Sequence, residues 1–362
     1  MHESSDHAEH GLRLPAVRVP ADWELQQRIW LAWPHNRNTW PGRFEPIPAF
    51  FRGLSHRIAE SIPVAIIGDR ESEKSAALSG PNFRWVSATT DDCWIRDYGP
   101  TFVANGQERQ HAIDWRYNAW GGKYPSRNDD RVAEAILVSS GWQRMRSDLC
   151  LEGGALEHDG CGTLLTTSSC LLTETRNPNR SRFEIERELR QMMGCKEIVW
   201  VDGGGLAGDD TDGHIDQLVR FVGPESIVVA SCDRDDENFA ALDANHQTVE
   251  DWSTRRSVSV EVVRLPIPPA RHLDGQRVPE SYCNFLRLGP DRLLVPEFGN
   301  KASDDRAAGI LKELGRETFP QLEVESVDCR DLAWGLGALH CATCNEPMLG
   351  NLQRTDADRT GE

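Results

Sequence analysis

Short apolar runs alternate along this chain with stretches of helical periodicity. Val64-Ala65-Ile66-Ile67 opens after Pro63 and is closed by Gly68. Ile198-Val199-Trp200-Val201, Ile227-Val228-Val229-Ala230 and Leu293-Leu294-Val295 have the same form. Being brief and mostly β-branched or aliphatic, these runs predict buried strands. Leu218 to Val222 reads as another apolar strand, and the alternation from Ser257 to Val263 predicts a half-exposed one. Between the runs, Ile47, Phe50, Phe51, Leu54 and Ile58 fall on one helical face. So do Ile185, Leu189, Met192 and Met193, and again Ala307, Ile310, Leu311 and Leu314. Ser303 reads as the N-cap of the last helix, with Asp304 and Asp305 at its positive end. Strands and helices interleaved in this way indicate an α/β protein. No Ser/Gly linker or low-complexity tract divides the pattern, which predicts a single domain over 14–352 between polar tails at 1–13 and 353–362. No internal repeat of fixed period is visible.

Composition narrows the partners. The 362 residues are 39% hydrophobic and 27% charged, enough to bury a sizeable core and unlike a disordered chain. No run approaches the roughly 18 apolar residues of a membrane-spanning helix. The balance of 40 basic against 57 acidic residues, net −17, argues against a nucleic-acid partner; it would attract cationic small molecules, or serve only to keep the protein in solution. Met1 to Pro15 contains no apolar signal core, and the ten cysteines are scattered, so a cytoplasmic setting with reduced thiols is expected.

Four segments concentrate reactive side chains. The first, Asp91-Asp92-Cys93-Trp94-Ile95-Arg96-Asp97-Tyr98-Gly99-Pro100, sets acids beside an aromatic ring, which suits a planar cation. An Arg96–Asp97 structural ion pair is the plainer alternative. The second, Glu152-Gly153-Gly154, places a carboxylate beside two residues that permit close backbone approach, as an ordinary turn also does. The third is Gly208-Asp209-Asp210-Thr211-Asp212-Gly213-His214-Ile215-Asp216. A calcium loop is excluded, because its first and last ligand positions would be Gly208 and Val219. In an extended chain His214 and Asp216 project to the same face, a base and an anion together. The fourth, Gly335-Leu336-Gly337-Ala338-Leu339-His340-Cys341-Ala342-Thr343-Cys344, resembles a nucleophile carried on a tight turn. Its Cys341/Cys344 spacing also fits a redox pair or half a zinc site, but no second closely spaced Cys/His pair is evident.

Together and in this order, the four segments resemble the agmatine deiminase family of the guanidino-group-modifying (pentein) superfamily. Trp30-Leu31-Ala32-Trp33-Pro34, Asp114 to Tyr124 and Tyr282-Cys283-Asn284-Phe285 support the resemblance, which covers about residues 14–352. It implies a five-bladed α/β propeller of ββαβ pseudo-repeats, with the site in a central pore. It implies hydrolysis of agmatine to N-carbamoylputrescine and ammonia with no cofactor and no metal. By the same resemblance Cys341 is the nucleophile and His214 the general acid/base. Asp97 and Asp216 hold the guanidinium, Glu152 contacts substrate and histidine, Trp94 lines the pocket, and Asp210 lies near the substrate's distal ammonium, with Asp209 and Asp212 adding to an acidic wall. Deimination of free or peptidyl arginine, amidinotransfer, and mere binding of a cationic ligand are the alternatives; a homo-oligomer is left open. The chain departs from its relatives at Leu336, Ala338 and Leu339, where three glycines and Asn-Ile are usual, at Ala155-Leu156, and after Cys341. A buried Leu336 would alter packing beside the nucleophile.

Overall fold

A computed structural model describes residues 17–105 and 110–349; the tails predicted at 1–13 and 353–362 lie outside the described residues. Five of its six sheets share one plan. In each, a first strand runs antiparallel to a second, and the second is joined through a helix to a parallel third. A parallel connection needs such a crossover, which is why each of these five sheets carries its helix. Thr101–Asn105, Gln110–Arg116 and Gln143–Cys150 follow this plan, with helix Val132–Ser140 as crossover and Val17–Arg18 added at the edge. So do Glu157–His158, Thr163–Thr166 and Glu197–Trp200 around helix Arg182–Met193. Val219–Gly223, Ser226–Ser231 and Glu261–Pro266 repeat it around Phe239–Thr254, and Leu286–Arg287, Arg292–Glu297 and Glu323–Asp328 around Lys301–Thr318. The units differ in length and in their connections, which hides any fixed period from the sequence.

The fifth sheet of this plan pairs a strand late in the described residues with one near their start. Cys344–Pro347 runs antiparallel to Gln26–Ala32, which is parallel to Val64–Gly68 across helix Ile47–Ala59, with Phe83–Ser87 beyond. Glu346 pins this closure. It is fully buried, accepts the indole N–H of Trp30 at 2.7 Å and of Trp142 at 3.0 Å, and lies 3.0 Å from Arg28 Nε.

The buried runs and amphipathic helices predicted from sequence are present, with three differences. Asn300, not Ser303, caps the last long helix, its Oδ1 accepting the Ser303 N–H at 3.1 Å. Ser303 is already inside the helix, and Asp304 turns inward to accept the Phe298 and Gly299 N–H groups. The strand expected from Ser257 begins at Glu261, because the preceding helix runs to Thr254 and Arg255 to Val258 are still turning away from it. Finally, His214 and Asp216 are not in extended chain: Ile215–Gln217 is a single 3-10 turn before the strand.

That turn has counterparts. A short helical turn precedes the first strand in four of the five sheets, at Ile95–Tyr98, Gly153–Ala155, Ile215–Gln217 and Tyr282–Asn284, and the turn through His340 and Cys341 precedes the fifth. Consecutive turns touch. Gly154 N donates to Asp97 Oδ1 at 2.9 Å, and Gly154 approaches His214 so closely that a Cβ would lie 2.6 Å from Nδ1. Ser281 Oγ donates to Gln217 O at 2.7 Å, His340 N to Asn284 O at 3.1 Å, and Arg96 N to Cys341 O at 3.2 Å, which closes the circuit. Replacing Glu346 by Ala strands two indole N–H groups and a guanidinium; chemical denaturation is expected to show a loss of about 3–5 kcal/mol, and clearly less for Glu346→Gln.

Candidate active site

Four of the five turns deliver the side chains singled out from sequence, and they meet. Cys341 is buried, with Sγ 3.7 Å from Asp216 Oδ2. His214, fully buried, stands between two carboxylates: Nδ1 is 3.5 Å from Asp97 Oδ1 and Nε2 is 3.8 Å from Glu152 Oε2. Asp97 is oriented by Gly154 N on one oxygen and by the Trp120 indole N–H, at 2.9 Å, on the other. Glu152 receives Arg176 Nε at 2.8 Å, and Arg176 continues to Asp212 Oδ2 at 2.7 Å and Thr211 O at 2.8 Å. Asp216 Oδ2 is held by His340 Nδ1 at 2.7 Å, while its Oδ1 has no hydrogen-bond partner. One oxygen is thus anchored and the other is free for a donor.

The electrostatics follow from that packing. Burial alone would depress the basicity of His214, but Asp97, Glu152 and Asp216 overcome it and lift the imidazole to about 9. It is therefore the cationic acid form at neutral pH. Burial, with Asp216 and Glu152 nearby, raises Asp97 to about 6 against the pull of His214 and the Trp120 N–H. Asp216 stays low: burial opposes ionisation, yet His340, His214 and Arg220 outweigh it. The Cys341 thiol is pushed well above its ordinary value by burial and by the charges of Asp216 and Asp97. A cation placed between those carboxylates would reverse the last effect.

Cys341 opens onto a cavity of 360 Å³ whose wall includes Asp97, Trp94, Trp120, Tyr124 and Asp210. Trp94 is held by Trp40, ring centroids 5.6 Å apart, and by Gly337, where a Cβ would sit 2.6 Å from the indole. Asp210 lies at the outer wall, accepting the Tyr124 hydroxyl at 2.7 Å. Of the acids in its loop, only Asp210 lines the cavity. Asp209 is spent on Thr211 and the Gly213 N–H, and Asp212 on Arg176 and Lys123. The expected burial of Leu336 is also corrected. It is half-buried in the cavity wall in the left-handed region, φ 69°, where a glycine would carry no strain. The Arg96–Asp97 ion pair does not form: Arg96 turns away to His340 O and Asn345 Oδ1. Cys344 does not join Cys341, since it lines a separate pocket with Sγ 3.8 Å from Pro100 O.

Three contacts were not foreseen. Arg176 and His340 act by holding Glu152 and Asp216; Arg176 carries no local motif, and His340, though inside the fourth segment, is assigned no role there. Asn284, from the fifth turn, places Nδ2 3.1 Å from Cys341 Sγ; its only sequence signal was membership of the Tyr282 to Phe285 stretch. If Asp97 sets the charge of His214, Asp97→Asn will lower the imidazole midpoint from about 9 by about one unit or more, read by NMR titration of the His214 ring. An unchanged midpoint would contradict this account.

A family profile described as Porphyromonas-type peptidyl-arginine deiminase matches residues 18–347. The agmatine deiminase of Pseudomonas aeruginosa (strain LESB58) is 34% identical over 363 residues, covering 92% of this chain and 96% of its own. That of Ectopseudomonas mendocina (strain ymp) is 33% identical over 362 residues, with 92% and 96% coverage. Among solved structures, a C. jejuni agmatine deiminase with substrate bound is 28% identical with a TM-score of 0.82, covering 91% of this chain and 96% of that one. The agmatine deiminase of Enterococcus faecalis is 25% identical with a TM-score of 0.83, covering 95% and 100%. An amidinotransferase from Microseira wollei, 15% identical with a TM-score of 0.54, shares the fold alone. The profile runs from the first described strand to the last, taking in all five turns, and the chain belongs to the Porphyromonas-type peptidyl-arginine deiminase family.

Proposed function

We propose that this protein is a hydrolase of linear amidines that converts agmatine to N-carbamoylputrescine and ammonia without a cofactor, through an amidino-Cys341 intermediate. The observation that carries the reading is a buried thiol beside oriented carboxylates, with a buried imidazole set between two of the acids. The five sheets would then be blades of one propeller, a single domain over 14–352, with the contacting turns around its central pore. In support of agmatine over arginine, Arg277 is the cation in the cavity wall among the described residues, and its guanidinium is spent on Asp236 and Glu237. No free base there awaits a substrate carboxylate, whereas Asp210 suits a distal ammonium.

In this mechanism the guanidinium lies between Asp97 and the free Oδ1 of Asp216, its edges donating to both, which orients the carbon toward Sγ. Its positive charge offsets the carboxylates, and the thiol loses its proton to solvent as substrate binds. The thiolate forms the S–C bond. The His214 imidazolium gives its proton to one NH₂, the C–N bond breaks, and ammonia leaves. Water then attacks the thiouronium carbon and gives a proton back to the His214 imidazole. The C–S bond breaks as the remaining hydroxyl proton is released; sulfur leaves as thiolate and recovers its proton when product departs. The net change is guanidinium and water to a urea and ammonium. Glu152, held by Arg176, keeps His214 in place and charged.

Ammonia release from agmatine, arginine and arginyl peptides tests the reading. Agmatine is expected to lead by at least about tenfold in kcat/KM, one basic contact's worth, and Cys341→Ala to lower kcat by about 10⁴-fold or more. Equal or better turnover of arginine would overturn the substrate assignment. The pH profile of kcat/KM should climb steeply up to the ionisation of Asp97 near 6, climb less steeply above it because the thiol of the free enzyme must still give up its proton on binding, and stop climbing as His214 loses its proton near 9. A profile flat between pH 5 and about 10 would remove both assignments.

A further inference from the structure

Gly335-Leu336-Gly337 carries the chain past Trp40 and Trp94 toward Cys341. The two glycines are dictated by contact. A Cβ at 335 would lie 2.7 Å from the Trp40 indole, and one at 337 would lie 2.6 Å from that of Trp94. Leu336, between them, has φ 69° and ψ 13°, the left-handed region in which a Cβ is strained and a glycine is not. The segment is held there. The Leu336 N–H donates to Ala333 O at 3.0 Å, the Trp40 indole N–H donates to Leu332 O at 3.1 Å, and the Gln217 side-chain amide lies 3.5 Å from Leu336 O. Gln217 belongs to the same turn as Asp216, so the strained residue is tied to the inner site. What this position supplies is a side chain. Leu336 is half-buried and lines the cavity onto which Asp97, Trp94 and Cys341 also open. A non-glycine residue kept in this region against its preference marks a place where the side chain itself is used.

We propose that Leu336 is a specificity-determining residue: its side chain narrows the cavity wall it shares with Trp94 to the width of an unbranched alkyl stem, selecting guanidines on a plain methylene chain over those whose stem carries substituents, as in arginyl peptides. The inference rests on the amidine-hydrolase reading and names the substrate class of its site. Between a guanidinium held by Asp97 and Asp216 and an ammonium at Asp210, agmatine has only CH₂ groups, which need an apolar surface and little width. A glycine at 336 would take the isobutyl group out of the wall and leave its room to water or to a branch on the stem. Because contact with the stem is the same before and during bond-making at the guanidinium carbon, its loss falls on KM and leaves kcat nearly unchanged.

The test compares Leu336→Gly with Leu336→Ala. Both remove the isobutyl group from the cavity, but only Gly relieves the backbone. Turnover is read as kcat and KM for agmatine and for an N-acyl arginine amide, binding of both by titration calorimetry, and folding by thermal denaturation. Leu336→Gly is expected to melt at least about 2 °C above Leu336→Ala, the reverse of the usual order of Gly and Ala. Both variants should raise KM for agmatine by about tenfold with kcat within about twofold of wild type, and the preference for agmatine over the acyl amide should fall by at least about tenfold. An unchanged preference in both variants would overturn the proposal, as would a wild-type protein that takes the acyl amide as readily as agmatine. A loss in kcat with KM unchanged would also overturn it, giving Leu336 a part in holding the catalytic turns instead. An Ala variant that melts as high as the Gly variant would overturn its structural basis. If wild-type protein releases no ammonia from either guanidine yet binds agmatine more tightly, and Leu336→Gly erodes that margin, the amidine-hydrolase reading fails and the assignment of Leu336 stands.

Discussion

Negative charge sealed from water must find compensation, and the site is organised around how that is arranged. Glu152 is matched by Arg176, which is itself out of solvent. Asp216 is matched by His340 and, further back, by Arg220, which also meets Glu157 at 2.8 Å and Asp22 at 3.1 Å. Asp97 has only His214, which it shares with Glu152. The inner carboxylates thus outnumber the fixed cations around them, and the shortfall lies at Asp97 and Asp216, the two acids whose charges act on the sulfur. A protein that leaves such a deficit in its interior favours a positively charged guest there, and a flat one can bond to both acids at once.

The scaffold serves that arrangement by bringing five separate pieces of chain to one place. Each sheet holds its own turn rigidly, because the strand that follows is paired and packed. Each turn is then held against the next, most tightly where Gly153 and Gly154 leave no room for a side chain: a Cβ on Gly153 would lie 2.1 Å from Arg96 O. Reactive groups so held have little freedom to rearrange, and the geometry a cation would meet is present in advance.

Much of this was legible from residues in order. Buried strands show as β-branched runs, and amphipathic helices by their spacing, because both patterns are local. Asp97, Glu152, His214, Asp216 and Cys341 stand out because each lies in a segment dense in acids and glycines. What stayed hidden depends on neighbours distant in sequence. Arg176 matters only because Glu152 and Asp212 reach it, and Asn284 because two N–H groups from the last turn set its amide. The expectation of His214 and Asp216 on one face of a strand assumed extended chain, whereas a tight turn brings both inward. Ser303 is a cap by residue type, but the helix starts earlier, and Asn300 caps it by accepting the N–H of Ser303.

The sheet that holds Cys341 in register pairs two segments whose linked side chains, Trp30 and Glu346, lie 316 positions apart. A contact that remote forms only after nearly everything between has been ordered, and closing so long a loop is slow. During synthesis on the ribosome the acids and the imidazole emerge well before the sulfur. The nascent chain therefore lacks its nucleophile until Cys341 is made, and reactivity arrives when Cys344–Pro347 docks against Gln26–Ala32.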